Sequence, residues 1–137
     1  MDAPEIIVTR LDLERLHHLL ESHATDRDQQ AVEFFDAELA RARVVEPSEI
    51  PASVVTMNSR FRYIDRSTGE SRIVTLVYPA NADPRAGRLS VLAPVGCALL
   101  GLSVGQSIDW PLPNGKVRSF EIAEILYQPE AAGDLHL

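Results

Sequence analysis

The amino-acid sequence predicts an α+β fold: a short N-terminal antiparallel α-helical hairpin, then a β-sheet unit with one short helix. Three observations predict it. Apolar residues recur at three- and four-residue spacing up to residue 42, which is the helical period. Beyond Pro47 and Pro51 the period shortens to two, with Val, Ile, Tyr and Phe alternating against Arg, Thr and Ser. The charge changes at the same place: residues 1–46 carry 11 acidic and 5 basic groups, whereas residues 47–137 carry 9 and 8. A chain of 137 residues has room for one ordinary domain, or a small domain with an appendage. Its composition, 45% hydrophobic and 24% charged, excludes wholesale disorder.

The first helix is expected from about Arg10 to Ser22. Thr9 is its N-cap, Asp12 follows in the manner of a capping box, and Leu13, Leu16 and Leu20 line one face. Thr25 caps the second helix, and Asp26 and Asp28 set negative charge at its positive dipole end. Val32, Phe35, Leu39 and Ala42 form its seam. Two seams joined by about three residues are expected to bury only against each other, as an antiparallel hairpin. Glu14, Glu21, Glu33, Asp36 and Glu38 stay in water. Pro47 ends the hairpin, because proline cannot continue the helical ladder, which divides the chain into units 1–46 and 47–137.

In the second unit, Val54–Met57, Arg60–Arg66 and Arg72–Tyr78 read as strands, the last two joined by a turn at Asp65–Gly69. A polar loop, Asn81–Gly87, leads to a fourth strand at Leu89–Leu92. Pro94 suits a first helical position, Val95–Leu100 make the short helix, and Gly101 ends it. Ser107–Trp110, a turn at Pro113-Asn114-Gly115, and Val117–Tyr127 complete the unit.

Several function classes are excluded. A net charge of −7 with no basic footprint argues against autonomous nucleic-acid binding. Cys97 is the single cysteine, so no intrachain disulfide exists, and Met1–Glu5 lacks the basic and apolar regions of a signal peptide. The uncharged stretch Leu89–Ile108 is broken by Pro94, Gly96, Gly101 and Gly105, so no membrane span is expected and the compartment is cytoplasmic. Cys97 lies near a helix start, where a thiolate is favoured, yet no His or acid neighbours it in sequence as a base. His17, His18 and His23 suggest a metal site, but His18 pairs with Glu14 and His17 with Glu21 on separate faces, short of the convergent ligands a zinc ion needs. Asp26-Arg27-Asp28 starts like a calcium loop but has Ala31 and Ala37 where Gly and Glu belong. These tip carboxylates serve either as dipole complements or as weak Mg²⁺ ligands shared with a partner's site. No phosphate-binding loop is present, and Lys116 is the sole lysine. No catalytic residue, metal or cofactor is therefore expected.

Leu89-Ser90-Val91-Leu92-Ala93-Pro94-Val95-Gly96-Cys97-Ala98-Leu99-Leu100-Gly101, followed by Val104-Gly105 and Ile108, resembles the C-terminal domain signature of the Gre transcript-cleavage and elongation factors. Pro113-Asn114-Gly115 and Phe120-Glu121-Ile122 continue the likeness. Val54–Arg60, Thr75–Pro79 and Tyr127–Asp134 resemble the Rnk family, the bacterial regulators of nucleoside diphosphate kinase. The resemblance implies an FKBP-like domain, a bent antiparallel sheet around a helix, preceded by a coiled-coil hairpin. It implies docking on RNA polymerase at the rim of the secondary channel, in competition with Gre-type factors, so that DNA is met only through the polymerase complex. The family's docking turn falls on Leu92, Ala93 and Pro94, where Gre-type sequences carry Asp and Ser before the proline. Gre hairpins are long and deliver acidic tip residues to the catalytic Mg²⁺. Here the first helix is roughly 20 Å long, so Asp26 and Asp28 stop short and no transcript cleavage is expected. Two alternatives remain: indirect control of nucleoside diphosphate kinase by protein contact, and weak FKBP-like prolyl isomerisation drawing on Phe61, Tyr63, Tyr78, Trp110, Phe120 or Tyr127.

Overall fold

The computed structural model describes residues 6–22, 29–111 and 115–134. The chain enters as β1 (Ile7–Thr9), continues through α1 (Arg10–Ser22) and α2 (Gln29–Ala40), and returns as β2 (Arg43–Val45). The start of α1 is as expected, with the Asp12 amide donating to Thr9 Oγ1 at 3.0 Å. The two short strands pair in parallel, Ile7 opposite Arg43 and Thr9 opposite Val45. Three residues each are too few to show a period, which is why this ladder escapes sequence reading. Thr25, Asp26 and Asp28, together with His23, Pro113, Asn114 and the Val32 side chain, lie outside the described residues.

The hairpin seams do not bury only against each other. Leu16, Leu20, Phe35 and Leu39 join a single apolar cluster with Ile6, Val8, Val55, Met57, Leu100 and Leu102. The hairpin is too short to seal its own apolar face, so its base is part of the sheet unit's core.

Beyond residue 46 come β3 (Arg60–Asp65), β4 (Ser71–Val77), β5 (Arg88–Ser90), α3 (Pro94–Leu99), β6 (Ser107–Pro111), β7 (Val117–Tyr127) and α4 (Pro129–Ala132). They form one five-stranded sheet in the order β5-β4-β3-β7-β6. Four strands are antiparallel, but β5 joins β4 in parallel, Thr75 opposite Arg88. The connection over residues 78–87 contains two 3₁₀ turns, at Pro79–Asn81 and Pro84–Ala86, and carries the chain back along the edge instead of reversing it in a hairpin. Phe61, Tyr63, Phe120 and Ile122 face the core on β3 and β7.

Two further expectations are corrected. Val54–Met57 is not a strand: Val54 makes one isolated bridge to Ser103, and the chain then turns through Thr56–Ser59. Asn58 adopts φ +67°, which asparagine tolerates, and Ser59 Oγ accepts from the Thr56 amide at 2.9 Å. The second unit also has two short helices, not one. α4 carries its own signals: Gln128 Oε1 accepts from the Ala131 amide at 3.2 Å, Pro129 occupies the first turn, and Gly133 closes it at φ +87°.

Candidate functional site

The turn at Leu92-Ala93-Pro94 connects β5 to α3, and its backbone is fixed from both sides. Ser90 Oγ accepts from the Leu92 amide at 3.1 Å, and the Ser90 carbonyl accepts from the Ala93 amide at 3.0 Å. Ala93 is the N-cap of α3, in extended conformation at φ −65° and ψ 147°, with no side-chain cap. Its carbonyl accepts from the Cys97 amide at 2.9 Å. Leu92 and Ala93 are half-buried. Gly96 permits the close seat of α3, since a Cβ there would lie 2.1 Å from the Ser90 carbonyl oxygen. The turn offers shape and apolar contact, and no acid, base or nucleophile.

Cys97 is buried, and its thiol donates to the Val91 carbonyl at 2.9 Å. Burial pushes its pKa up to about 12, which keeps the thiol protonated and agrees with a small buried residue rather than a nucleophile. The helix dipole of a two-turn element is outweighed by desolvation. His17 lies 4.0 Å from Asp36 across the hairpin, and Glu14 pairs with Arg10 at 3.1 Å. Among the described residues no cluster of three or more metal-ligating side chains occurs. The tip residues Asp26 and Asp28 lie outside the description.

A second polar centre, which sequence reasoning missed, lies where the hairpin meets the sheet unit. Asp12 is 2% exposed, and its Oδ2 accepts from the Met57 amide at 3.1 Å. Burial raises its pKa to about 7, against the opposing pull of the Met57 N–H; the Glu130 charge raises it further, while Arg15 and Thr9 lower it. Thr56 Oγ1 donates to Glu130 Oε1 at 2.7 Å and also contacts Ser59 Oγ at 2.8 Å. Gln128 Nε2 donates to the carbonyls of Pro51 and Val54, both at 2.8 Å. Beside this centre is a groove of about 550 Å³ lined by Glu14, Arg15, His18, Leu19 and Tyr78. Burial raises the Tyr78 phenol pKa, the Asp12 charge adds to this, and Arg15 opposes it. Asp12 was legible only as a capping residue, because nothing local marks a partner 45 positions away.

The aromatic side chains needed for a prolyl-isomerase cup are committed elsewhere. Phe61, Tyr63, Trp110 and Phe120 are buried, with Tyr63 and Phe120 edge to face at 5.9 Å. Tyr127 is hydrogen-bonded to Asp134 at 2.5 Å. Among the described groove residues, Tyr78 is the sole Phe, Tyr or Trp side chain.

Two family descriptions match the chain: "Rnk N-terminus" over residues 4–45, and "Transcription elongation factor, GreA/GreB, C-term" over residues 50–127. The chain is 50% identical over 134 residues to the regulator of nucleoside diphosphate kinase of Escherichia coli (strain K12), covering 98% of each chain. It is 32% identical over 138 residues to transcription elongation factor GreA of Helicobacter hepaticus, covering 93% of this chain and 82% of that one. A solved structure described as a prokaryotic transcription elongation factor GreA/GreB from Nitrosomonas europaea superposes with a TM-score of 0.70 at 47% identity, covering 90% of this chain and 99% of that one. No described helix is long and apolar enough to cross a membrane.

Proposed function

Because the chain belongs to the Gre-type transcription elongation factor family, on the branch of the nucleoside diphosphate kinase regulators, we propose that it is a transcription elongation regulator that binds RNA polymerase near the secondary channel and competes with Gre-type factors without stimulating transcript cleavage. It acts in the cytoplasm as a binding protein and not as an enzyme, and meets DNA only through the polymerase complex. Unit 47–137, read as FKBP-like, docks through Leu92, Ala93 and Pro94. Unit 1–46, a short coiled-coil hairpin, guards the channel entrance with Asp26 and Asp28 at its tip.

The observation that carries this reading is the length of the hairpin. α1 has 13 residues and α2 has 12. At 1.5 Å per residue the described part of each helix is about 20 Å or shorter. A factor with a Gre-type docking turn and so short an arm can occupy the entrance without reaching the active centre. The test is a competition and cleavage assay on backtracked elongation complexes. The protein is expected to displace a Gre factor from RNA polymerase and to produce no cleavage of its own. Stimulated cleavage that disappears in Asp26→Ala and Asp28→Ala variants would overturn the reading.

A second reading rests on the Escherichia coli relative, whose name makes it a regulator of nucleoside diphosphate kinase. Here that effect would be indirect and pass through protein–protein contact, since the sequence has no phosphate-binding loop. Recovery of the kinase and not the polymerase in a pull-down would favour it. Burial of four aromatic rings disfavours the weak prolyl-isomerase reading, as fold alone does not confer activity.

A further inference from the structure

The docking turn and the hairpin are joined by a short run of hydrogen bonds. α3, which begins at the Leu92–Pro94 turn, is followed by Gly101, whose φ of +83° and missing Cβ bring the first strand into contact. A Cβ at Gly101 would lie 2.7 Å from Ile6 Cβ. The Gly101 carbonyl accepts from the Ile7 amide at 3.1 Å, and its amide donates to the Val55 carbonyl at 2.9 Å. Both segments that hold α1 therefore start from the same helix end. β1 leads covalently into α1, and the Val55–Met57 segment reaches α1 through Asp12.

α1 is seated by Leu16 and Leu20 in the shared core, an apolar contact without direction, whereas a hydrogen bond fixes orientation. Asp12 supplies that directed contact in the first turn of α1, to a segment other than the strand that leads covalently into the helix. The turn that presents the Met57 N–H is braced by Thr56, Ser59 and Glu130. A buried N–H deprived of its acceptor is strongly disfavoured, so this contact resists opening.

We propose that Asp12, braced by Glu130 through Thr56, is a positioning residue that fixes the angle at which the hairpin leaves the docking unit, so that arm and docking turn meet the polymerase as one rigid surface. Its use on the polymerase rests on the reading above; the fixed angle does not. The groove beside Tyr78 is lined by Glu14, Arg15, His18 and Leu19 of α1.

The experiment places one label at Ala37→Cys on α2 and one at Thr68→Cys in the turn after β3, both exposed, with Cys97 buried and unreactive. Electron–electron distance distributions are then compared for the full-length wild type, Asp12→Ala, Asp12→Asn and Thr56→Val. Asp12→Ala is expected to broaden the distribution and to weaken competition with a Gre factor about tenfold, equivalent to about 1.4 kcal/mol. Asp12→Asn keeps an oxygen for the Met57 amide and is expected to stay within about twofold of wild type. Thr56→Val, nearly the same shape, is expected to broaden the distribution less, and it decides the matter if Asp12→Ala does not fold. Lowered thermal midpoints with unchanged distances in both variants would overturn the proposal and leave Asp12 a stabilising contact alone. Wild type that fails to compete for polymerase overturns the functional reading, while the distances still decide the positioning role.

Discussion

Asp12 makes an unusual demand on the folded state, because it is a carboxyl group kept at 2% exposure by the joint. Its pKa rises from 3.8 to about 7 on folding. Well below pH 3.8 it is protonated in both states and contributes no pH dependence. As pH rises through 3.8 towards 7 the unfolded chain ionises first, so the unfolded state gains and stability falls; well above pH 7 the penalty is complete. The loss is at most on the order of 4 kcal/mol. Wild type and Asp12→Asn are therefore expected to have similar thermal midpoints near pH 4 and to diverge towards pH 8, with the variant the more stable. Parallel midpoint curves between pH 4 and 8 would contradict this. Gly96 is a second residue whose constraint is plain. Its Cβ-less position faces the Ser90 carbonyl, and Gly96→Ala forces α3 away from β5. A loss of about 1–3 kcal/mol is expected from urea unfolding, as for other overpacked sites, and an unchanged midpoint would show that the helix can shift freely.

At the level of elements, legibility followed the number of residues carrying a signal. α1 and β7 have 13 and 11 residues, enough for a period to emerge, and both lie where the sequence puts them. β1 and β2 have three each and are defined by their pairing, which no local pattern encodes. α4 was missed although Gln128, Pro129 and Gly133 supply a cap, a first turn and a stop; four residues give no apolar repeat to draw attention to them. The candidate site divides in the same way. The turn at Leu92–Pro94 is readable because proline and glycine mark it locally, whereas the Asp12–Met57 contact depends on how two distant segments approach one another. α3 shows what the local signals leave undone. Its N-cap, Ala93, has the extended backbone of a cap and no oxygen to serve one. Ala93→Ser is expected to stabilise the protein by about 0.5–1 kcal/mol, because a serine hydroxyl can accept from the first-turn amides. Thermal unfolding checks this directly, and a lowered midpoint would mean that the cap geometry is not available.

For the whole molecule, the question is whether an arm with most of the negative charge can behave as a separate body. Residues 1–46 hold 11 of the 20 acidic side chains, which on sequence grounds suggests an independent projection. The packing argues otherwise. Leu16 and Phe35 of the arm are almost fully buried in the same cluster as Met57, Leu100 and Phe120 of the sheet unit. Helices of 12 and 13 residues are marginal by themselves in water, so the arm depends on that shared core for its structure. The two units should then unfold together. Trp110, buried in β6, reports on the sheet unit by fluorescence, while circular dichroism at the helical minimum reports mainly on α1 and α2. The two signals are expected to give one shared transition in urea. Leu16→Ala, a cavity in the arm's own seam, is expected to lower both midpoints equally by a loss of about 2–5 kcal/mol. An arm that melted first, with Trp110 unaffected by Leu16→Ala, would show two independent bodies. A rigid arm set by Asp12 requires the opposite result, because an angle can be held only by an arm that stays folded as long as the unit it stands on.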